Sequence, residues 1–124
     1  MPAINFQPRF ADLVESGRKT QTIRKSNRFK VGDTVQLYTG QRTKQCRKLG
    51  EGVVTSVRPI GIGRDKNGAP FVRLVWPNGR DNFLNTVDIA MLDGFETAQE
   101  MVTWFEEQHG LPFDGWLIKW RLNR

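Results

Sequence analysis

The chain has 124 residues, of which 38% are hydrophobic and 26% charged, with nineteen Lys and Arg against thirteen Asp and Glu. That is enough chain for one ordinary domain with a real core, spanning 1–124, and the composition excludes a disordered tail or a collagen-like polymer. No apolar run approaches the ~18 residues of a membrane span and the N-terminus lacks a signal peptide's layout, so a soluble, cytoplasmic protein is expected. The single cysteine, Cys46, cannot pair internally, and His109 is the only histidine. With so few soft ligands, no metal site and no cofactor are expected.

In chain order, Ala3 to Phe6 reads as a first strand. Pro8 suits the first position of a helix, Phe10, Leu13 and Val14 repeat at helical spacing, and Gly17 closes it as a left-handed cap. From Arg18 to Lys25 the residues are polar or charged except Ile23, which predicts a surface segment. Val31-Gly32-Asp33 reads as a turn into a strand, Thr34 to Thr39, and Gly40 to Gly50 as a basic loop. Gly52 to Ile62 is strand-like, with Pro59 as a bend or an edge marker. Asp65-Lys66-Asn67-Gly68 is a strong hairpin turn, Pro70 to Trp76 a further strand, and Asn78-Gly79 a second turn. Thr86 to Leu92 suggests a short helix.

Thr97 to His109 is the clearest helix, opened by the capping pair Thr97 and Glu100 and closed by Gly110 with Pro112 beyond. Gly115 to Leu122 alternates as a closing strand, with Trp116, Ile118 and Trp120 on one face. Trp116 and Trp120 are expected in the core, and Phe29, Tyr38 and Trp76 as aromatic platforms beside polar loops. The pattern is α+β: a small antiparallel β-barrel with two or three peripheral helices.

The charge is uneven. Between Arg18 and Lys48 stand ten basic residues and one acid, Asp33, so this quarter of the chain carries the whole basic excess. Such a block suits a polyanion, and without an amphipathic basic helix to lie on a membrane the expected partner is nucleic acid. Arg9, Arg18, Arg24, Lys25, Arg42, Lys44, Arg47 and Lys48 are the expected phosphate contacts. In Gly17-Arg18-Lys19-Thr20-Gln21-Thr22-Ile23-Arg24-Lys25, strand alternation separates Lys19 from Thr22 unless the backbone bends between them. A lysine beside a hydroxyl can act as its base if burial or neighbouring cations lower its pKa.

The residues Phe6-Gln7-Pro8-Arg9-Phe10, then Gly17-Arg18-Lys19-Thr20 with Thr22-Ile23-Arg24, then Gly32-Asp33, resemble the start of an ASCH domain, and Asp93-Gly94-Phe95 resembles the signature before that family's last helix. The resemblance implies a PUA-like fold and a role in RNA or nucleoside handling. Two activities follow from it: cleavage of single-stranded RNA, and hydrolysis of the acetyl amide of acetylcytidine. For the second, the resemblance implies Thr22 as nucleophile, Lys19 as its base and an acid at Asp93, a methylene shorter than the family's Glu.

Three functions are therefore in view. The first is binding of single-stranded RNA or another nucleic acid in a basic cleft, with metal-independent cleavage or modification. The second is an acetylcytidine-type amidohydrolase acting on a modified nucleoside through Lys19, Thr22 and Asp93. The third is a non-enzymatic, phage-associated interaction module whose basic face meets an acidic protein.

Overall fold

The computed structural model describes residues 3–75, 81–83 and 93–123. Along the chain these form β1 (Ala3–Phe6), α1 (Pro8–Ser16), β2 (Gln21–Arg24), β3 (Thr34–Thr39), β4 (Arg47–Arg64), β5 (Pro70–Val75), β6 (Asp81–Phe83), α2 (Ala98–His109) and β7 (Phe113–Leu122). The strands bond in the order β1-β3-β4-β5-β6, with β7 paired to both β2 and β4. The fold is α+β with a mixed sheet. The expected all-antiparallel arrangement does not hold, because β1 runs parallel to β3. A parallel pair needs a crossover between its strands, and α1 lies in that connection. The chain clusters into two compact units, residues 1–22, 28–57 and 118–124 forming one, and residues 23–27 and 58–117 the other.

In the first unit β1 lies beside β3 with Ala3 opposite Gln36. β3 lies antiparallel to β4 from Thr34 opposite Val53 to Thr39 opposite Arg47, with a register shift at Leu37/Tyr38. Helix α1 has Pro8 at its start and Gly17 at its end, where φ is +84° and the Gly17 N–H bonds to the Val14 carbonyl. Phe10, Ala11 and Val14 form its buried face. They join Ile4, Phe6, Val35, Leu37, Val54 and Trp120 in the core. Burial of each large apolar side chain contributes about 1.5–3 kcal/mol. The turn before β3 is fixed by Gly32 at φ +96° and by the Lys30 N–H donating to Asp33 Oδ2 at 2.9 Å.

In the second unit the remainder of β4 lies antiparallel to β5, from Ile60 opposite Leu74 to Arg64 opposite Pro70. The expected hairpin turn joins them. Asp65 Oδ1 accepts from the N–H groups of Asn67 and Ala69, and Gly68 takes φ +82°. Helix α2 is capped by Thr97, whose hydroxyl accepts the Glu100 N–H at 3.0 Å, and it buries Met101, Val102 and Phe105. The Phe105 ring packs 4.9 Å from that of Phe113. Arg64 ties the hairpin to the helix, donating to the Gly68 carbonyl, to Gln99 Oε1 and to Thr103 Oγ1.

Several expectations need correction. Strand β4 starts at Arg47, so the loop predicted over 40–50 ends at Cys46. Pro59 is an exposed residue inside β4, outside the ladders with β3 and β5. In β7, Leu117 and Ile118 are both buried and Trp116 only half-buried, so simple alternation fails where the strand is bonded on two sides. Phe29 is a core residue at 4% exposure and offers no platform. Trp76, the Asn78-Gly79 turn and the Thr86 to Leu92 helix lie outside the described residues.

Candidate nucleic-acid interface

The charge division follows the two units. The first holds twelve Lys and Arg against four Asp and Glu, a net +8, and the second seven against nine. Three of the first unit's four acids are consumed by two cations. Arg47 Nη1 bonds both carboxylate oxygens of Glu15, at 2.8 and 2.9 Å, and its Nη2 lies 3.6 Å from Asp12. Lys48 Nζ bonds Glu51 Oε1 at 2.6 Å. The hydrogen bond to Glu15, more than its charge, holds the Arg47 guanidinium above its ordinary pKa; the bond to Glu51 does the same for Lys48. These two expected phosphate contacts are therefore already neutralised by acids of their own unit.

Arg18, Arg42 and Lys44 differ from them. All three are exposed and have no side-chain hydrogen bond or ion pair among the described residues. The loop that carries Arg42 and Lys44 is built as turns. Thr43 Oγ1 donates to the Gly40 carbonyl at 2.6 Å and accepts the Gln45 N–H at 3.1 Å, and the Gln41 N–H reaches Asn5 Oδ1 at 2.9 Å. Arg42 holds φ at +67°, a left-handed conformation unusual for a side chain with a Cβ. Such turns order the backbone that carries the two cations, which lowers the part of the ordering cost of binding that falls on the loop. Arg9 is exposed on α1, its guanidinium 4.8 Å from the centre of the Phe10 ring.

Lys19 and Thr22 are not surface groups. Lys19 is 2% exposed, Gln21 1% and Thr22 5%, so the surface segment expected over 18–25 is buried in its middle and exposed only at Arg18 and Lys25. The reason is tertiary pairing. The Lys19 N–H bonds the Leu13 carbonyl at 2.9 Å, and the Trp120 N–H bonds the Thr20 carbonyl at 3.0 Å, which draws this stretch between α1 and β7. The Lys19 ammonium lies 5.1 Å from the Phe10 ring centre and 5.9 Å from that of Phe6, the geometry of a cation over aromatic faces. Lys19, Gln21 and Thr22 thus form a buried polar segment within the first unit, and Gln21 is a member that spacing alone did not single out. The nearby Trp120 Nε1 is a buried donor without an acceptor among the described residues.

The remaining expected residues belong to the second unit. Arg24 is half-buried, Lys25 exposed and Asp93 buried at 5% exposure, directly before Gly94, whose φ is +97°. Cys46 is exposed, and no group of three or more His, Cys, Asp or Glu gathers among the described residues. No described helix is long and apolar enough to cross a membrane. Tyr38 is half-buried with its hydroxyl donating to Gln36 Oε1 at 2.7 Å. The acids of α1 escaped sequence reasoning, although Asp12 and Glu15 stand three residues apart on the side of the helix away from Phe10 and Val14. Comparison with protein-family models, with curated proteins and with solved structures returned no match for this chain.

Proposed function

We propose that the chain is a nucleic-acid-binding domain, related to the ASCH domains it resembles and of PUA-like barrel architecture, that takes single-stranded RNA on the basic surface of its first unit. The observation that carries this is the net +8 of that unit, with Arg18, Arg42 and Lys44 exposed and unengaged by its acids. Exposed cations that release counterions from phosphate supply the sequence-independent part of affinity. What supports the barrel is the double pairing of β7, to β2 and to β4, which lies off the linear strand order. The basic surface is open to a strand of either sugar; RNA is preferred on the resemblance. The test is anisotropy of a labelled single-stranded RNA titrated with the protein at rising salt. Affinity that falls steeply supports the proposal, and affinity indifferent to salt would overturn it.

A second reading, an acetylcytidine-type amidohydrolase, is favoured by one observation: Lys19 and Thr22 are both buried in the same short segment of the first unit. In this reaction the Thr22 hydroxyl attacks the acetyl carbonyl as Lys19 takes its proton. The amide C–N bond breaks, the leaving amine receives the proton that Lys19 took, and water then releases acetate from Thr22. Release of acetate from acetylcytidine by the wild type, absent from a folded Lys19→Ala protein, is the expected result. Full activity in that variant would remove the reading.

A further inference from the structure

Among the described aromatic residues of the first unit, Phe6, Phe10, Phe29 and Trp120 are buried and Tyr38 alone is not. Its position follows from strand alternation. In β3, Val35, Leu37 and Thr39 are buried, while Thr34, Gln36 and Tyr38 are half-buried on the opposite face. The register extends that outer face to both neighbouring strands, where Asn5 of β1 and Lys48 of β4 stand opposite Tyr38 and are exposed. Helix α1 packs on the inner face, since its buried residues join Val35 and Leu37 in the core.

Tyr38 is tethered without being covered by a partner ring. Its hydroxyl donates to Gln36 Oε1 at 2.7 Å, two residues back on the same face, so the side chain is restrained at its tip. No other ring and no cation stacks on the Tyr38 ring among the described residues. A tyrosine has only two side-chain angles to fix, so a restrained one offers flat contact area at small entropic cost. Tyr38 is also the last outward residue of β3, and the loop leaving that end carries Arg42 and Lys44, whose cations no acid of the unit engages. A ring beside a cationic loop matches base and phosphate together. A duplex keeps its bases stacked on one another and leaves such a ring unused, whereas a single strand has base faces to offer.

We propose that Tyr38 is the stacking platform on which this domain seats a base of single-stranded RNA, with the adjoining phosphates at Arg42 and Lys44. The proposal rests on the nucleic-acid reading above and adds what a basic surface does not supply, a contact to the base. Every base has a π-face, so the contact tolerates any sequence. It is uncharged, so it releases no counterion and leaves the salt slope to the cations.

Tyr38 is the only tyrosine in the chain, so protein made with isotope-labelled tyrosine gives one set of ring signals. The test titrates that protein with oligo(U) and, in parallel, with an abasic oligomer of the same length, which keeps the phosphates and lacks the bases. The Tyr38 ring protons should move upfield with oligo(U), under the ring current of the stacked base, and stay in place with the abasic strand. Tyr38→Thr, which keeps a β-branched residue in the strand, should weaken oligo(U) binding at least about fivefold with an unchanged salt slope. Tyr38→Phe keeps the ring and should bind as wild type does. The ring signal needs no variant, so it decides even where a substitution disturbs β3. Equal shifts from both oligomers, undiminished affinity in Tyr38→Thr, or a Tyr38→Phe protein as weak as Tyr38→Thr would each overturn the proposal. The two readings fail differently. A static Tyr38 signal beside salt-dependent binding of oligo(U) defeats the platform and leaves the basic surface standing, while no binding of either oligomer defeats both.

Discussion

The most discriminating perturbation is to compare Arg42→Ala with Arg47→Ala and read the slope of affinity against salt. Each phosphate contact on a single strand contributes about −0.7 to the slope of log K against log salt. If Arg18, Arg42 and Lys44 make such contacts, the slope is about −2.1, and affinity falls roughly 20-fold between about 50 and 200 mM salt. If Arg47 and Lys48 contributed equally, the slope would be about −3.5 and the fall roughly 130-fold. The structure selects the first figure, because Arg47 already bonds both oxygens of Glu15 and Lys48 already bonds Glu51. A cation so engaged carries little condensed counterion to exchange. Arg42→Ala should flatten the slope by about 0.7, and Arg47→Ala by less than half that. Anisotropy with labelled oligo(U) across a salt series measures both. Equal flattening by the two substitutions would refute the idea that α1's acids withdraw Arg47 from the interface.

Three further outcomes follow. Gly115→Ala should lower the melting temperature by about 5–12 °C, since its Cβ would stand 2.5 Å from the Arg24 carbonyl oxygen and 2.8 Å from the Phe113 ring, a clash of about 1–3 kcal/mol; an unchanged melting curve would show the strands to be looser than this. Lys19→Met, which keeps an unbranched apolar stem and removes the amine, should retain the native circular dichroism while lowering any acetate release by at least about 10²-fold. Lys48 should hold its proton above the ordinary lysine range because of Glu51. Its folded value is raised, so its contribution to stability is complete below the unfolded lysine value and is lost as pH rises through the folded one; NMR titration of Lys48 beside Glu51→Gln should show the value fall in the variant.

Local signals in the sequence locate most of the elements. Pro8 and Gly17 bracket α1, Thr97 and Gly110 bracket α2, and Asp65 to Gly68 makes the hairpin turn, each through a bond or backbone angle confined to a few neighbours. The failures are at long range. No local feature announces that Ala3 to Phe6 pairs parallel with β3, because that pairing is set by where α1 returns the chain. The same holds for Lys19 to Thr22: polar residues ordinarily predict exposure, but here the Leu13 carbonyl and the Trp120 N–H bond the backbone, and Lys19, Gln21 and Thr22 are buried. Of the candidate site, residue types and the basic block are legible, while the pairing of Arg47 with Asp12 and Glu15 across 32 to 35 positions is not.

Arg64 carries a consequence of its own. One guanidinium holds the carbonyl at the hairpin's turn and two side chains of α2, with Glu106 3.7 Å away. A guanidinium is a rigid fork of five donors, so a single side chain fastens acceptors on two elements at once. The β4–β5 hairpin and α2 should consequently open as a single cooperative segment, their slowest amides sharing one exchange rate, with the helix unable to fray inward from its middle while the turn remains closed.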